Sequence, residues 1–218
     1  MVGRTPQHSA TVVATEQLTP RMRRISLGGV SLDPRPGQDV ELILTENGRR
    51  LKRRYTIRNH RRDGFDIDAV LHGDGPGARW AAAAGPGQRV EFTGPRGRLE
   101  LSDAQWHLFV GDESALPAFA ELCPRVAGAI AVVEVADPDE EQALAADVRW
   151  IHRRDHPPGT PDLLRAALAG FRPPPGRGHG YLLGESRAMI ALRPDVAGCG
   201  LAGERVYVKG YWNVGRHR

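Results

Sequence analysis

Residues 107–123 read HLFVGDESALPAFAELC, and this stretch decides the architecture. Four residues of an apolar run end at Gly111, and helical spacing then runs from Ser114 to Cys123 and stops at Pro124. This is a strand that turns directly into a helix. Working outward, Ala129–Val135 (AIAVVEV) is a continuous apolar run, as expected of a parallel strand buried on both faces. Val148–Ile151 reads as a further strand. Leu163–Ala169 reads as a helix opened by Pro161-Asp162. A loop at Arg172–Gly180 leads to a strand at Tyr181–Gly184, a helix at Ser186–Leu192 and a last strand at Arg205–Val208. Alternating strands and helices predict a parallel sheet with crossover helices.

Upstream the pattern differs. Ser9–Ala14, Met22–Leu27, Asp39–Leu44, Arg54–Arg58, Phe65–Leu71 and Arg89–Thr93 are short strand-like runs separated by Gly/Pro turns. Such a series predicts an antiparallel barrel or sandwich. One Ala-rich helix, about Ala78–Ala84, interrupts it and ends at Gly85-Pro86. The expected fold is therefore two-domain: an antiparallel β domain over residues 1–103 and an α/β domain with a parallel sheet over 104–218.

Composition sets the outer limits. The chain has 218 residues, 40% hydrophobic and 26% charged, which is ordinary for a globular protein. Net charge is +4, with a local basic zone at residues 49–62, RRLKRRYTIRNHRR. That zone favours an anionic ligand, or is a solvated basic face. Two cysteines make neither a disulfide framework nor a cysteine-based zinc site. The first residues carry no secretory signal pattern and no apolar run is long enough to span a bilayer, so a cytoplasmic protein with no membrane partner is expected. His152 and His156 are spaced i, i+4, but Pro157-Pro158 follows at once, and no metal site is expected.

The chemistry concentrates in two segments. In Arg53-Arg54-Tyr55-Thr56, strand alternation lets Arg53 and Tyr55 address one ligand from the same side. Arginine offers a bidentate donor for phosphate and tyrosine a flat ring; threonine adds a hydroxyl or an N–H. An exposed basic strand is the plainer reading of the same four residues. In Val70–Ala81, VLHGDGPGARWA, the glycines allow close backbone approach and then open a helix, whose first N–H groups suit a phosphate. A simple Gly/Pro turn remains the alternative, His72 serves equally as a cofactor donor or a structural histidine, and Trp80 suits the core.

Together these segments resemble the siderophore-interacting protein family, a branch of the ferredoxin-reductase superfamily. The family pattern R-x-Y-T-x-R stands at Arg53–Arg58, H-G-x-G-P-[AG]-x-x-W-A at His72–Ala81, and G-P-R-G at Gly94–Gly97. G-D-[ET]-[TS]-A-L-P-A stands at Gly111–Ala118, the late G-E at Gly184-Glu185, and Y-V-x-G-Y-W-x-x-G at Tyr207–Gly215. The resemblance implies FAD in the β domain. The ring would lie against Arg53, Tyr55 and Thr56, with Thr56 at the hydride-accepting edge, so Tyr55 and Thr56 are the expected catalytic residues. The pyrophosphate would lie against Arg53 and the backbone of Gly75, Pro76, Gly77 and Ala78. Ile57, Arg58, Asp68, Val70, His72 and Trp80 complete the expected flavin contacts. In the second domain Asp112, Glu113 and Ser114 would meet NADH or NADPH, and Trp212, with Tyr211, would close over the flavin region, line the substrate opening or simply dock the tail. Lys52, Lys209 and Arg216 are candidates for an anionic ferric-siderophore.

The resemblance thus implies an NAD(P)H-dependent, FAD-containing ferric-siderophore reductase, a monomer, with a reduced ferredoxin as a further possible donor and no nucleic-acid partner. A flavin reductase with a protein or quinone acceptor shares every motif, and a non-enzymatic siderophore- or nucleic-acid-binding module is the third alternative. Two departures from the family pattern fall on the nicotinamide side. Residues 136–180 are compressed, and Arg193-Pro194 interrupts the helix after Gly184-Glu185.

Overall fold

A computed structural model describes residues 7–46, 48–71, 73–201 and 203–215. His72 and Arg216 therefore lie outside the described residues. The chain divides into two compact units between Leu99 and Glu100, against the boundary at 103 read from the sequence.

The first unit is a seven-stranded antiparallel sheet. Its strands are β1 (Gln7–Thr19), β2 (Met22–Gly28), β3 (Asp39–Glu46), β4 (Arg49–Thr56), β5 (Arg58–Arg61), β6 (Gly64–Val70) and β7 (Arg89–Arg96). They lie in the order β4-β3-β7-β1-β2-β6-β5. The first and last strands of that order are consecutive in sequence, joined by Ile57 alone. Three consecutive Cα atoms span at most about 7.6 Å, so the two edges must come together and the sheet curls on itself. The expected strand at Arg54–Arg58 is therefore two strands with the closure between them. Ile57 is 4% exposed in the core, and its N–H donates to the Gln38 carbonyl at 3.0 Å. Alternation fills the interior: Phe65, Ile67 and Ala69 of β6 join Ile25, Leu27, Val40, Leu42 and Phe92 in one core. Helix α1 (Pro76–Ala83) packs Ala81 into that core.

The second unit is a five-stranded, wholly parallel sheet. Its strands are β8 (Trp106–Asp112), β9 (Ala129–Val135), β10 (Asp147–His152), β11 (Gly178–Glu185) and β12 (Val206–Trp212). Their order is β10-β9-β8-β11-β12. The chain steps outward from β8 to β10, then returns to start again at β11 on the other side of β8. The strand order thus reverses between β8 and β11, the place where open α/β sheets take their ligands.

Helices α2 (Leu116–Leu122), α3 (Asp162–Ala169), α4 (Ser186–Ala191) and α5 (Arg193–Gly198) pack beside the strands. The turn after β8 enters α2 through a short 3-10 segment, Glu113–Ala115. Arg193-Pro194 ends one helix and begins another, since proline is suited to a first helical turn. The crossover from β9 to β10 contains only the 3-10 turn Pro138–Glu140 where an α-helix is usual. This is the compression seen in the sequence.

Candidate functional site

Strand β4 separates the adjacent Arg53 and Arg54 by pleat. Arg54 turns to Asp39, giving Nε and Nη2 hydrogen bonds to Oδ1 at 2.9 and 2.7 Å and a further bond to Oδ2 at 2.8 Å. Lys52 shares that face and pairs with Glu41 at 2.9 Å. Arg53 and Tyr55 take the other face. Arg53 bonds the neighbouring Lys52 carbonyl at 2.8 Å and, among the described residues, has no carboxylate within salt-bridge distance. Its charge is therefore available to an anion.

The start of α1 lies against this face. Gly77 is buried there because the space beside it is taken: a Cβ on Gly77 would stand 2.8 Å from the Tyr55 hydroxyl and 3.3 Å from Arg53 Cγ. Gly75 gives α1 no side-chain cap, Pro76 follows, and the first turn holds no acidic residue. The N–H groups of Gly77 and Ala78 thus open a helix with its positive dipole end uncompensated. A guanidinium outside any salt bridge, an uncapped eight-residue helix and a glycine at the contact make a cradle suited to a pyrophosphate. Tyr55 is held on its other side by Trp80, ring centroids 6.2 Å apart. Burial raises the Tyr55 phenol well above its ordinary range, so it stays neutral and acts as a ring and a hydrogen-bonding hydroxyl. Thr56 is buried at the end of β4, opposite Asp39, and Val70 ends β6 half-buried opposite Met22.

Three of the expected contacts also carry structural partners. Ile57 spends its side chain on the core and its N–H on Gln38. Asp68 is buried beneath Arg24, which grips it through Nε and Nη2 at 2.8 and 2.9 Å, and Arg58 bonds the same carboxylate at 3.2 Å. Asp66 sits beside it and takes Arg61 at 2.8 Å and Asn59 at 2.9 Å. Asp66 and Asp68 are the polar side of β6, and buried carboxylates need such partners. Arg58 and Asp68 hold β2, β5 and β6 together. Trp80, half-buried, packs on the core as well as on Tyr55.

In the second unit the reversal point is filled from within. Asp112 ends β8 and is 4% exposed. Its Oδ1 accepts from the Ser114 N–H at 2.9 Å and from the Ser114 hydroxyl. Its Oδ2 accepts from the Glu185 N–H at 2.8 Å and the Trp212 indole N–H at 2.9 Å. Burial first, then repulsion from Glu113, push the Asp112 carboxyl up to about 6 against these donors. Gly184 has φ +152°, and a Cβ there would stand 2.6 Å from Asp112 Oδ2. Glu113 is paired with Arg153 at 2.6 and 2.8 Å. Glu134, within β9 and paired across the sheet with Asp112, meets the same arginine at 3.5 Å and is pushed by burial up to about 7.

Asp112, Glu113 and Ser114, expected near a nicotinamide cofactor, thus have partners inside the unit. Trp212 is tied through its indole to Asp112, and its carbonyl accepts from Ser186 Oγ at 2.8 Å. Glu185 was legible only as part of a motif. It caps α4 by accepting from the N–H groups of Arg187 and Ala188, both at 2.7 Å, and takes the Val214 N–H at 3.2 Å. Lys209 lies on β12, its ammonium 5.0 Å from the Tyr211 ring centre. Among the described residues no group of three or more His, Cys, Asp or Glu is placed to hold a metal ion. No described helix is long and apolar enough to cross a membrane.

Residues 104–215 match the family model for siderophore-interacting protein, and residues 41–99 match that for the siderophore-interacting FAD-binding domain. The chain belongs to the siderophore-interacting protein family. Within that family it is 33% identical over 268 aligned positions to an uncharacterized protein of Mycobacterium tuberculosis, covering 99% of this chain and 93% of the relative. An alignment of 268 positions against 218 residues leaves at least 50 positions of the relative without a counterpart. The ferric vibriobactin reductase of Vibrio cholerae is 28% identical over 196 positions, covering 84% of this chain and 72% of that one. A siderophore utilization protein from T. fusca superposes with a TM-score of 0.83 at 35% identity, over 97% of this chain and 94% of the other. FAD is accordingly the cofactor of the first unit, and the two-domain flavin- and nicotinamide-binding architecture read from the sequence is the observed one.

Proposed function

We propose that this siderophore-interacting protein is a ferric-siderophore reductase, taking a hydride from NADH or NADPH and giving electrons to an iron(III)-siderophore in the cytoplasm. The observation that carries the reading is the cradle on the first unit: Arg53 without a carboxylate partner, beside Gly77 at the uncapped start of α1, with Tyr55 on the same face. Family membership and the reductase name of the Vibrio relative support the redox chemistry.

FAD supplies the conversion of a two-electron donor into single-electron steps when it is bound. The chain's own residues do the rest. Arg53 and the N–H groups at Gly77 and Ala78 would hold its diphosphate. Tyr55, clamped between Gly77 and Trp80, offers a fixed ring face. Thr56, buried at the strand end, would lie toward the edge of the ring. Fixing the acceptor in this way serves a transfer that needs reacting atoms within about 3–3.5 Å. Lys52, exposed on the opposite face of β4, and Lys209 of the second unit are cationic candidates for an anionic siderophore. The iron is substrate, held by its own chelator.

Electron balance gives the test. One hydride carries two electrons and each Fe(III) takes one, so consumption of one NAD(P)H yields two Fe(II). Anaerobic turnover with a panel of ferric-siderophores and an Fe(II)-trapping chelator should show that ratio. Flavin reduction without Fe(II) release from any chelate would refute the assigned acceptor.

A further inference from the structure

Opposite Tyr55, Arg53, Leu51 and Arg49 of β4 stand Val40, Leu42, Leu44 and Glu46 of β3. Directly paired residues share a face of the sheet, so Glu46 is the carboxylate that β3 places on the side of Arg53. Another cation holds it. Arg79, the fourth residue of α1, bonds it from Nε to Oε1 at 2.9 Å and from Nη2 to Oε2 at 2.8 Å. This fork engages both carboxylate oxygens. The Arg79 N–H bonds the Gly75 carbonyl at 3.0 Å, so the residue that takes Glu46 is fixed to the turn that presents Gly77 and Ala78. Hydrogen bonding to Arg79 holds the Glu46 carboxyl below its ordinary range; desolvation opposes this, and the charges of Arg79 and then of Arg53 add to the lowering. Asp74, ahead of the helix, also acts on Arg79 through its charge. Arg53 meanwhile rests on the Lys52 carbonyl at 2.8 Å. Arg79 is half-exposed and Glu46 partly exposed, and an ion pair in that setting adds little to stability. What the pair decides is which cation Glu46 takes.

We propose that Arg79 is a positioning residue for the flavin: by taking both oxygens of Glu46 it keeps that carboxylate off Arg53, and so leaves the Arg53 guanidinium to the diphosphate. The inference rests on the reading of the Arg53 and Gly77 face as the seat of that diphosphate. Without Arg79, Glu46 becomes an internal anion that competes with the cofactor for Arg53. The apparent affinity of a ligand falls by the fraction of molecules in the competent state. Capture of Arg53 in about nine molecules of ten lowers FAD affinity about tenfold.

The test is FAD binding by the full chain freed of flavin, followed by fluorescence titration, with the melting temperature reporting folding. The variants are Arg79→Ala, Glu46→Gln, the two together, and Arg53→Ala with and without Arg79→Ala. Arg79→Ala alone is expected to bind FAD about tenfold more weakly. Glu46→Gln keeps the shape and removes the charge, and should bind at least as tightly as wild type. Combining it with Arg79→Ala should restore affinity to within about twofold of wild type. In the Arg53→Ala background, Arg79→Ala should change nothing further. A combined variant as weak as Arg79→Ala overturns the proposal, because Arg79 then acts on the phosphate itself or braces α1. Weakened binding by Glu46→Gln, or a further loss in the Arg53→Ala background, overturns it for the same reason. Wild-type affinity in Arg79→Ala overturns it too, and would give the Glu46 carboxylate to Arg49, its partner across the strands. Wild-type affinity in Arg53→Ala removes the diphosphate seat itself, whereas a weakened Arg53→Ala with any of the other failures removes only the role of Arg79.

Discussion

A methyl group added to Gly77 would stand 2.8 Å from the hydroxyl of Tyr55, closer than real contacts of that kind come. This relationship separates stability from cofactor affinity. Glycine in a helix costs roughly 0.5–1 kcal/mol relative to alanine, so Gly77→Ala gains helix propensity while it displaces the ring. The expected outcome is a melting temperature within a few degrees of wild type and FAD binding weakened about tenfold or more, read by fluorescence titration. Undiminished affinity would detach Tyr55 and Gly77 from the flavin.

Adjacent arginines on β4 should respond in opposite ways. Arg53→Ala removes a guanidinium with no carboxylate partner, and is expected to weaken FAD binding by about 1.5–3 kcal/mol with little change in stability. Arg54→Ala leaves Asp39, 3% exposed, without its main partner. It should lower stability by about 1–3 kcal/mol while the folded fraction keeps its FAD affinity. Denaturant melts and FAD titrations of both variants check the crossing, and the reverse pattern would exchange the two roles.

The second unit should carry a pH signature from Glu134. Burial raises this carboxyl from 4.5 to about 7, helped by Asp112 and Glu113 and opposed by Arg153. A raised acid favours the protonated folded state, so its contribution to stability grows as pH falls from about 7 towards 4.5 and is lost as pH rises through 7. Asp112 acts in the same direction between 3.8 and about 6. Buried His179 opposes both, since burial lowers it and the folded state resists its protonation below 6.5. Glu134→Gln isolates the first effect. The melting temperature of wild type minus that of the variant should decline between about pH 5 and about pH 8; parallel curves would show that Glu134 does not titrate there.

Gly184→Ala should disable the reversal point outright. The position combines φ +152° with a clash against Asp112 Oδ2. The substitution therefore strains the backbone and ejects a buried carboxylate from its donors, costing several kcal/mol. A large fall in the thermal midpoint of the purified variant is expected. A wild-type melt would mean that the carboxylate sits elsewhere in solution.

What the sequence disclosed and withheld follows from the range of its signals. Period-two alternation was enough to put Arg53 and Tyr55 on one face, and a continuous apolar run was enough to mark β9 as a buried parallel strand. Both are local patterns. The closure at Ile57 was hidden because R-Y-T-I-R has the propensity of one uninterrupted strand, and only the strand order shows that the sheet must turn there. Asp68 is shared by Arg58 and Arg24, and no local pattern discloses the second pairing because Arg24 lies 44 residues from Asp68. Trp212 and Asp112 are 100 residues apart, and no spacing rule links such a pair. Helix α5 was lost because Arg193-Pro194 marks both an end and a beginning.

The most direct measurement is a titration of the purified full chain with FAD, followed by visible absorbance and flavin fluorescence, on wild type and Arg53→Ala. The account predicts a yellow protein with bands near those of free FAD, about one flavin per chain, and at least about tenfold weaker binding in the variant. A chain that stays colourless with saturating FAD, or a variant that binds it as tightly as wild type, would contradict a flavin seated on the Tyr55 face.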